Sequence, residues 1–199
     1  MKNFLNYQTS EYDCGPTTIL NGIRYLFERE DIPPTLIKGI MMYGNDTFND
    51  DGEAGKRGTT KSAVKYMACW LTGFSKGCGF PIRAEYAVDE ETEICEGSRT
   101  YTCLQEGGAA LIFCWTGGYG PYVLLTGIDG DCIELFDPYY EEGLKLTMEE
   151  HGAIVVEGKP RSMNRLVKME VLNRMDKSDY AMGDFDRRVN LLLWNTKEK

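Results

Sequence analysis

The chain has 199 residues, a length that suits a single domain and is sufficient to bury a hydrophobic core. Its apolar fraction of 42% and charged fraction of 27% are ordinary for a globular protein. The formal net charge of -9 argues against binding to nucleic acid or to an anionic membrane, because both are bound through basic surfaces.

The cysteine and histidine content limits redox and metal chemistry. Seven cysteines are an odd number, and the sequence shows neither a signal peptide nor an apolar segment of transmembrane length. This usage favours reduced thiols and a cytoplasmic location over a disulfide framework. His151 is the only histidine and no CxxC pair occurs, whereas structural zinc requires four clustered Cys or His ligands. We therefore expect no metal site and no cofactor.

Helical patterns occupy the first part of the chain. Asp13 is a suitable N-cap for the first helix, and Thr59 or Thr60 is a suitable N-cap for the third. Residues 44–58 are rich in Gly, Asn and Asp and predict a long surface loop. The three predicted helices cover about residues 14–28, a short segment after Pro33–Pro34, and residues 61–74.

From residue 82 onward the pattern changes to short strands separated by turns. A short helix ended by glycine is predicted over residues 98–108. Helices first and strands afterwards, without strict βαβ alternation, indicate an α+β fold. The strands are predicted at residues 82–88, 109–115, 121–128 and 132–138, with extensions at 153–158 and 164–172, and residues 189–194 are predicted to dock as a strand or short helix. We expect one domain over residues 1–160 and a C-terminal extension, residues 161–199, docked on it.

The segment around Cys14 has the composition of a nucleophile site. Unpaired backbone N–H groups and the positive end of the helix dipole favour a thiolate, and can lower a cysteine pKa from about 8.5 toward 7 or less. Gly15 would let a substrate backbone approach closely. Gln8 lies six positions before the cysteine and could donate an N–H to a developing oxyanion, together with the backbone N–H of Cys14.

These residues resemble the papain-like cysteine peptidases, specifically the bacteriocin-processing (double-glycine leader) peptidase type. The match consists of Gln8, then Asp13-Cys14-Gly15-Pro16 ahead of an apolar helix. In that family a strand begins with the catalytic histidine followed by Tyr or Phe, and leads into a second strand that ends in Asp-Pro. Residues 121–140 follow this pattern, so the resemblance spans about residues 5–140.

The resemblance implies a papain-like α+β fold. A helical lobe would carry Cys14, and an antiparallel sheet lobe would carry Asp137 in the position that orients the histidine. Between the lobes would lie a cleft for an extended peptide, and its lining would include Gly15, Pro121 and Tyr122.

One departure from the family pattern concerns the mechanism. Pro121 stands where the family has its histidine, so Asp137 has no imidazole to orient. A cysteine peptidase needs an imidazole to take the thiol proton and later to protonate the leaving amine. A carboxylate near pKa 4 is about 4.5 pKa units below a thiol near 8.5, so direct proton transfer between them is uphill by about 6 kcal/mol. We therefore predict that peptide-bond hydrolysis is impaired or lost.

Three functions follow from these residues. The first is a degenerate peptidase-like protein that binds an extended peptide or protein ligand. The second is an active cysteine hydrolase or acyltransferase that uses Cys14 and Gln8, with His151 or a water as base, since triads are defined by geometry rather than chain order. The third is a structural or interaction protein, in which Gln8 bonds a neighbouring loop and Asp137 begins a turn before Pro138. The oligomeric state is left open.

Overall fold

Seven strands form one sheet in the computed structural model, which describes residues 3–45 and 48–197. The strands are β1 (Ile82–Val88), β2 (Ala109–Phe113), β3 (Tyr122–Asp129), β4 (Cys132–Phe136), β5 (Ala153–Val155), β6 (Arg165–Lys168) and β7 (Val189–Asn195). The helices are α1 (Cys14–Leu26), α2 (Pro34–Tyr43), α3 (Lys61–Cys78), α4 (Arg99–Gln105), α5 (Met148–His151) and α6 (Met169–Leu172). The predicted combination of helices and an antiparallel sheet is therefore confirmed.

The order of the strands in the sheet is β1-β7-β2-β3-β4-β6-β5, and every neighbouring pair is antiparallel. The predicted segments 82–88 and 121–128 coincide with β1 and nearly with β3. Residues 189–194, for which a strand or a helix was predicted, form the strand β7. The predicted loop over 44–58 contains no helix or strand within its described residues, and residues 46 and 47 lie outside the described part of the chain.

The sheet separates two hydrophobic clusters because successive side chains of a strand point to opposite faces. On β7, Leu191 and Leu193 pack with the side chains of α1, α2 and α3. The neighbouring Leu192 and Trp194 pack on the opposite face with α4 and with residues of β3, β4 and β6. The sheet thus lies between two layers, and the helices that were predicted first in the chain cover one face of it.

Two hydrogen bonds fix α1 along β3. The Thr18 hydroxyl donates to the Tyr122 carbonyl at 2.9 Å, and the Tyr25 hydroxyl donates to the Thr126 carbonyl at 2.7 Å. Both acceptors belong to the same strand, so the start of the helix lies at the start of β3. This alignment brings Cys14, the first residue of α1, next to the segment that begins with Pro121.

Strands of the C-terminal segment lie within the sheet. β6 pairs with β4 and β5, and β7 lies between β1 and β2, where six of its seven residues are buried. Residues 161–197 therefore contribute two strands to the sheet. Their local sequence predicts strands but not their order in the sheet, because that order depends on partners that are distant in the chain.

Candidate functional site around Cys14

The sulfur of Cys14 lies at the N-terminus of α1, where the residue is half-buried. The backbone groups of Tyr122 and Gly15 act on this sulfur in the direction that favours the thiolate. Asp13 occupies the N-cap position but its side chain does not cap the helix. Instead the Asp13 carboxylate accepts the backbone N–H groups of Thr9 and Ser10, at 3.1 and 2.9 Å, and so holds the preceding loop.

The pKa of the Cys14 thiol is raised above its ordinary value. Burial is the main cause, and the negative charges of Asp13 and Asp137 add to it, whereas the N–H groups of Tyr122 and Gly15 act in the opposite direction. The expectation that the helix terminus would lower this pKa is therefore wrong, because desolvation outweighs the backbone donors. The thiol is protonated at neutral pH.

Asp137 follows β4 and is buried, with 3% of its surface exposed. One carboxylate oxygen accepts the backbone N–H of Tyr139 at 2.9 Å, and the other accepts the Tyr180 hydroxyl at 3.2 Å. Burial raises the pKa of Asp137, and the Tyr139 N–H, the charge of Arg165 and the Tyr180 hydroxyl oppose this shift. The carboxylate is thus close enough to Cys14 to affect the thiol, but its hydrogen bonds go to other partners.

Residues of the C-terminal segment form a buried network around Asp137. Arg165 donates from Nε to the Tyr180 hydroxyl oxygen at 2.9 Å, and that hydroxyl in turn donates to Asp137. The Asn164 side chain forms two bonds of 2.8 Å with the backbone N–H and carbonyl of Asp137. Burial raises the pKa of Tyr180 well above its ordinary range, so the hydroxyl remains a donor.

This network was missed at the sequence level. Arg165 and Tyr180 lie in the region that the family resemblance does not cover, and buried polar pairs leave no periodic signal. The segment predicted to dock on the domain, residues 161–199, contains five arginines and one tyrosine, and this composition does not indicate which of them pair.

Gln8 is attached to the strand that leads to Asp137. Its backbone N–H donates to the Pro138 carbonyl at 2.9 Å, and its side-chain amide nitrogen donates to the Ser10 carbonyl at 2.8 Å. The side-chain oxygen of Gln8 is buried and accepts no hydrogen bond within the described ranges. One N–H of the amide is therefore engaged in the loop, as the structural interpretation of this glutamine predicted, and the other is left for a further acceptor.

The residues predicted to line a cleft are buried. A Cβ added to Gly15 would lie 1.8 Å from the Oγ1 atom of Thr59, so the glycine is required by packing against that side chain rather than by an approaching substrate. Pro121 accepts the backbone N–H of Cys114 at 3.1 Å, and Tyr122 is 3% exposed. The burial of Gly15, Pro121 and Tyr122 leaves the half-buried Cys14 and Gln8 as the more accessible residues of this region.

His151 lies far from Cys14. It ends α5, its Nδ1 accepts the backbone N–H of Thr147 at 3.2 Å, and it precedes the edge strand β5. Ala153 of β5 is level with Ile128 of β3 through the registers of β5, β6 and β4. Three strand spacings of about 4.8 Å and six residues of about 3.4 Å separate it from Tyr122, a distance of roughly 25 Å. The position of His151, beside the edge strand β5, does not favour the hypothesis that it is a substitute base for Cys14.

No group of three or more His, Cys, Asp or Glu side chains in residues 3–45 and 48–197 is arranged to hold a metal ion. In the same part of the chain, none of the helices combines the length and the apolar composition that a membrane crossing requires.

Comparison with known proteins finds similarity to solved structures. No protein-family profile and no curated protein sequence matches the chain. Among solved structures, the chain is similar to a double glycine motif protease from an AMS/PCAT transporter, determined in complex with the leader peptide. The two are 14% identical with a TM-score of 0.43, over 98% of this chain and 94% of the other. No conclusion about the chemistry of the site rests on a similarity of this size.

Proposed function

We propose that this chain is a papain-like cysteine peptidase-type protein that has lost peptide-bond hydrolysis and binds an extended peptide beside Cys14. The observation that carries the proposal is the environment of the sulfur. The backbone groups of Tyr122 and Gly15 favour the thiolate, while the chain's single imidazole ends α5, next to the edge strand β5, and Tyr122 of β3 lies roughly 25 Å from Ala153 of β5 by strand spacing and register. The assignment of Pro121 to the histidine position comes from the sequence resemblance, as does the division into a helical and a sheet lobe.

The lack of a proton acceptor explains the loss of hydrolysis. An amide leaving group must be protonated as it departs, and positioned acid–base groups supply about 10²–10⁴ in rate. Pro121 has no titratable group, and Asp137 is engaged by Tyr180 and Tyr139. The raised pKa of Cys14 also leaves little thiolate at neutral pH. The missing acid–base group opposes protonation of the leaving amine, and the raised pKa of Cys14 opposes formation of the attacking thiolate.

The surface that remains open supports binding of a peptide. Gln8 keeps one amide N–H for a peptide carbonyl, and the backbone N–H groups at Cys14 add positive potential at the end of α1. Beside them lie three exposed aromatic side chains, Tyr7, Tyr139 and Tyr140. Tyrosine side chains are enriched at binding surfaces because they combine a large apolar area with a hydrogen-bonding group.

The competing function is an active cysteine hydrolase or acyltransferase with water as base. It requires a thiolate at neutral pH, so the titration of Cys14 separates the two functions. Cys69, Cys78 and Cys95 are also exposed and would react with an alkylating agent. The measurement is therefore made on a protein in which these three residues are replaced by serine.

We expect the alkylation rate of Cys14 to rise with pH to a midpoint above that of a free thiol, about 8.5. Burial and the two neighbouring carboxylates hold the proton on the sulfur. Adding Cys14→Ser to the same background should abolish the remaining reaction, which identifies its source. A midpoint well below 7 that disappears with Cys14→Ser would establish a reactive nucleophile and contradict the proposal.

Peptide binding and cleavage are measured together on fluorescent decapeptides incubated with the protein. We expect saturable binding by anisotropy, unchanged peptide mass, and the same affinity within about twofold for Cys14→Ser, because the sulfur makes no covalent bond. Cleavage or acyl transfer that requires Cys14 would contradict the loss of activity. Absence of saturable binding to every peptide would contradict the binding function.

A further inference from the structure

The open side of the site is bordered by two segments that meet in space, residues 7–12 and 139–142, which we call the tyrosine rim. They are joined by the hydrogen bond from the Gln8 N–H to the Pro138 carbonyl, 2.9 Å long. The rings of Tyr7 and Tyr140 contact each other edge to face, with their centroids 5.2 Å apart. The exposed members of the rim are Tyr7, Tyr12, Tyr139 and Tyr140, together with Glu11, Glu141 and Glu142.

The rim is anchored but its aromatic faces remain open to solvent. Tyr7 packs on Phe136 of β4 with centroids 5.4 Å apart, so its position is set by the sheet. The backbone N–H of Tyr139 donates to Asp137, which fixes the second segment next to the site. Nevertheless 43% of Tyr7 and 64% of Tyr140 are exposed. A fixed pair of exposed rings is a preformed contact surface, because little side-chain entropy remains to be lost on binding.

The carboxylates of the rim lack cationic partners. None of Glu11, Glu141 and Glu142 forms an ion pair with a lysine or arginine in the described part of the chain. Among other exposed glutamates, Glu85 and Glu91 pair with Arg99, whereas Glu96 and Glu157 form no ion pair with a lysine or arginine in the described part of the chain. Unpaired carboxylates beside tyrosine faces give a surface of negative potential, and both the carboxylates and the aromatic quadrupoles attract a cation.

We propose that the tyrosine rim selects an extended peptide that carries a lysine or arginine side chain. The cationic group would contact the faces of Tyr7 and Tyr140 and the carboxylates of Glu141 and Glu142, while the peptide backbone lies beside Gln8 and Cys14. This inference rests on the proposed peptide-binding function and adds the charge of the ligand to it. The net charge of -9 also attracts cationic peptides, over a longer range than the rim does. The experiment therefore has to separate the contribution of the rim from that of the overall charge.

The test compares two fluorescent decapeptides that differ at one central position, lysine in one and the neutral isostere norleucine in the other. Binding is measured by anisotropy in 150 mM salt at pH 7. We expect the lysine peptide to bind about fivefold more tightly, from one exposed cation–π contact and one exposed ion pair. Glu141→Gln with Glu142→Gln should reduce this ratio to about twofold, and Tyr140→Ala should reduce it as well.

The matched control replaces two exposed glutamates elsewhere, Glu96→Gln with Glu157→Gln, which changes the net charge by the same amount. We expect this variant to keep the fivefold ratio. An equal loss in the control would assign the preference to the overall charge and overturn the proposal for the rim. Equal affinities of both peptides for the unmodified protein would also overturn it, while leaving the peptide-binding function intact. Failure of both peptides to bind would instead remove the peptide-binding function on which the inference rests.

Discussion

Asp137 is a buried carboxylate that accepts hydrogen bonds from two residues of its own chain. The family resemblance implied that Asp137 lies in the position that orients a histidine. In the structure its carboxylate accepts hydrogen bonds from the Tyr139 N–H and the Tyr180 hydroxyl. Tyr180 lies outside the residues that carry the resemblance. The hydrogen bond between Tyr180 and Asp137 could not be predicted from the sequence, because the two residues are 43 positions apart and no local pattern links them.

The raised pKa of Asp137 makes a prediction about stability and pH. An unfolded aspartate has a pKa of about 3.9, and burial raises the pKa of Asp137 in the folded state. Between those two values the folded chain holds a proton that the unfolded chain has released. The contribution of Asp137 to the free energy of unfolding is therefore present below about pH 3.9 and is lost as pH rises through the folded-state pKa.

Asp137→Asn removes this titration. We expect the difference in the free energy of unfolding, wild type minus variant, to decrease as pH is raised from 4 to 8, measured by urea denaturation of both proteins. Asp129→Asn is the control, because Asp129 is exposed at the end of β3 and the substitution makes the same change from carboxylate to amide. A wild-type advantage that grows with pH would mean that the carboxylate is stabilised in its charged form, contrary to the burial effect described here.

Helices and strands were predicted well where a local pattern determines them. β1 was predicted at its observed bounds, and α3 begins after Thr60, whose side chain accepts the backbone N–H of Ala63. The contacts between elements were not predictable in this way. Gly15 was interpreted as leaving room for a ligand, whereas its missing side chain leaves room for Thr59, which follows the loop between α2 and α3.

This contact makes a prediction about the packing of α1. In Gly15→Ala the new Cβ would lie 1.8 Å from the Oγ1 atom and 2.5 Å from the Cβ atom of Thr59, so the segment around Thr59 must move. We expect a loss of about 1–3 kcal/mol in the free energy of unfolding, the usual range for overpacking. Gly73→Ala in α3 is the matched control. Nothing lies within 4 Å of its added Cβ, so we expect a gain of about 0.5–1 kcal/mol.

Chemical denaturation of the two variants and the wild type measures both effects. The comparison separates packing from helix propensity, because each substitution adds one methyl group inside a helix. A Gly15→Ala protein that is as stable as Gly73→Ala would show that the contact with Thr59 does not constrain α1.

At the scale of the whole molecule, the motifs in the sequence do not define all the strands of the sheet. The residues that carry the resemblance end near position 140, and a domain ending at residue 160 contains β1 to β5 but neither β6 nor β7. β7 pairs with β1 through seven residues and with β2 through four, so it joins the outer strand to the rest of the sheet. The local sequence of β7 indicates a buried apolar segment. Its position between β1 and β2 depends on pairing with strands that are distant in the chain.

A chain ending at residue 160 should therefore fail to fold. Without β7, the strand β1 and the buried faces of α3 and β2 lose their shared partner, and the Tyr180 and Arg165 contacts to Asp137 are lost as well. We expect such a protein to give circular dichroism without a cooperative thermal transition. A control ending at Asn195 keeps all seven strands and should unfold cooperatively within a few degrees of the full chain. If the 160-residue protein unfolded cooperatively with native-like strand content, the C-terminal segment would not be required for folding of the domain. The hydrogen bond from Tyr180 to Asp137 would then not be required to form the site around Cys14.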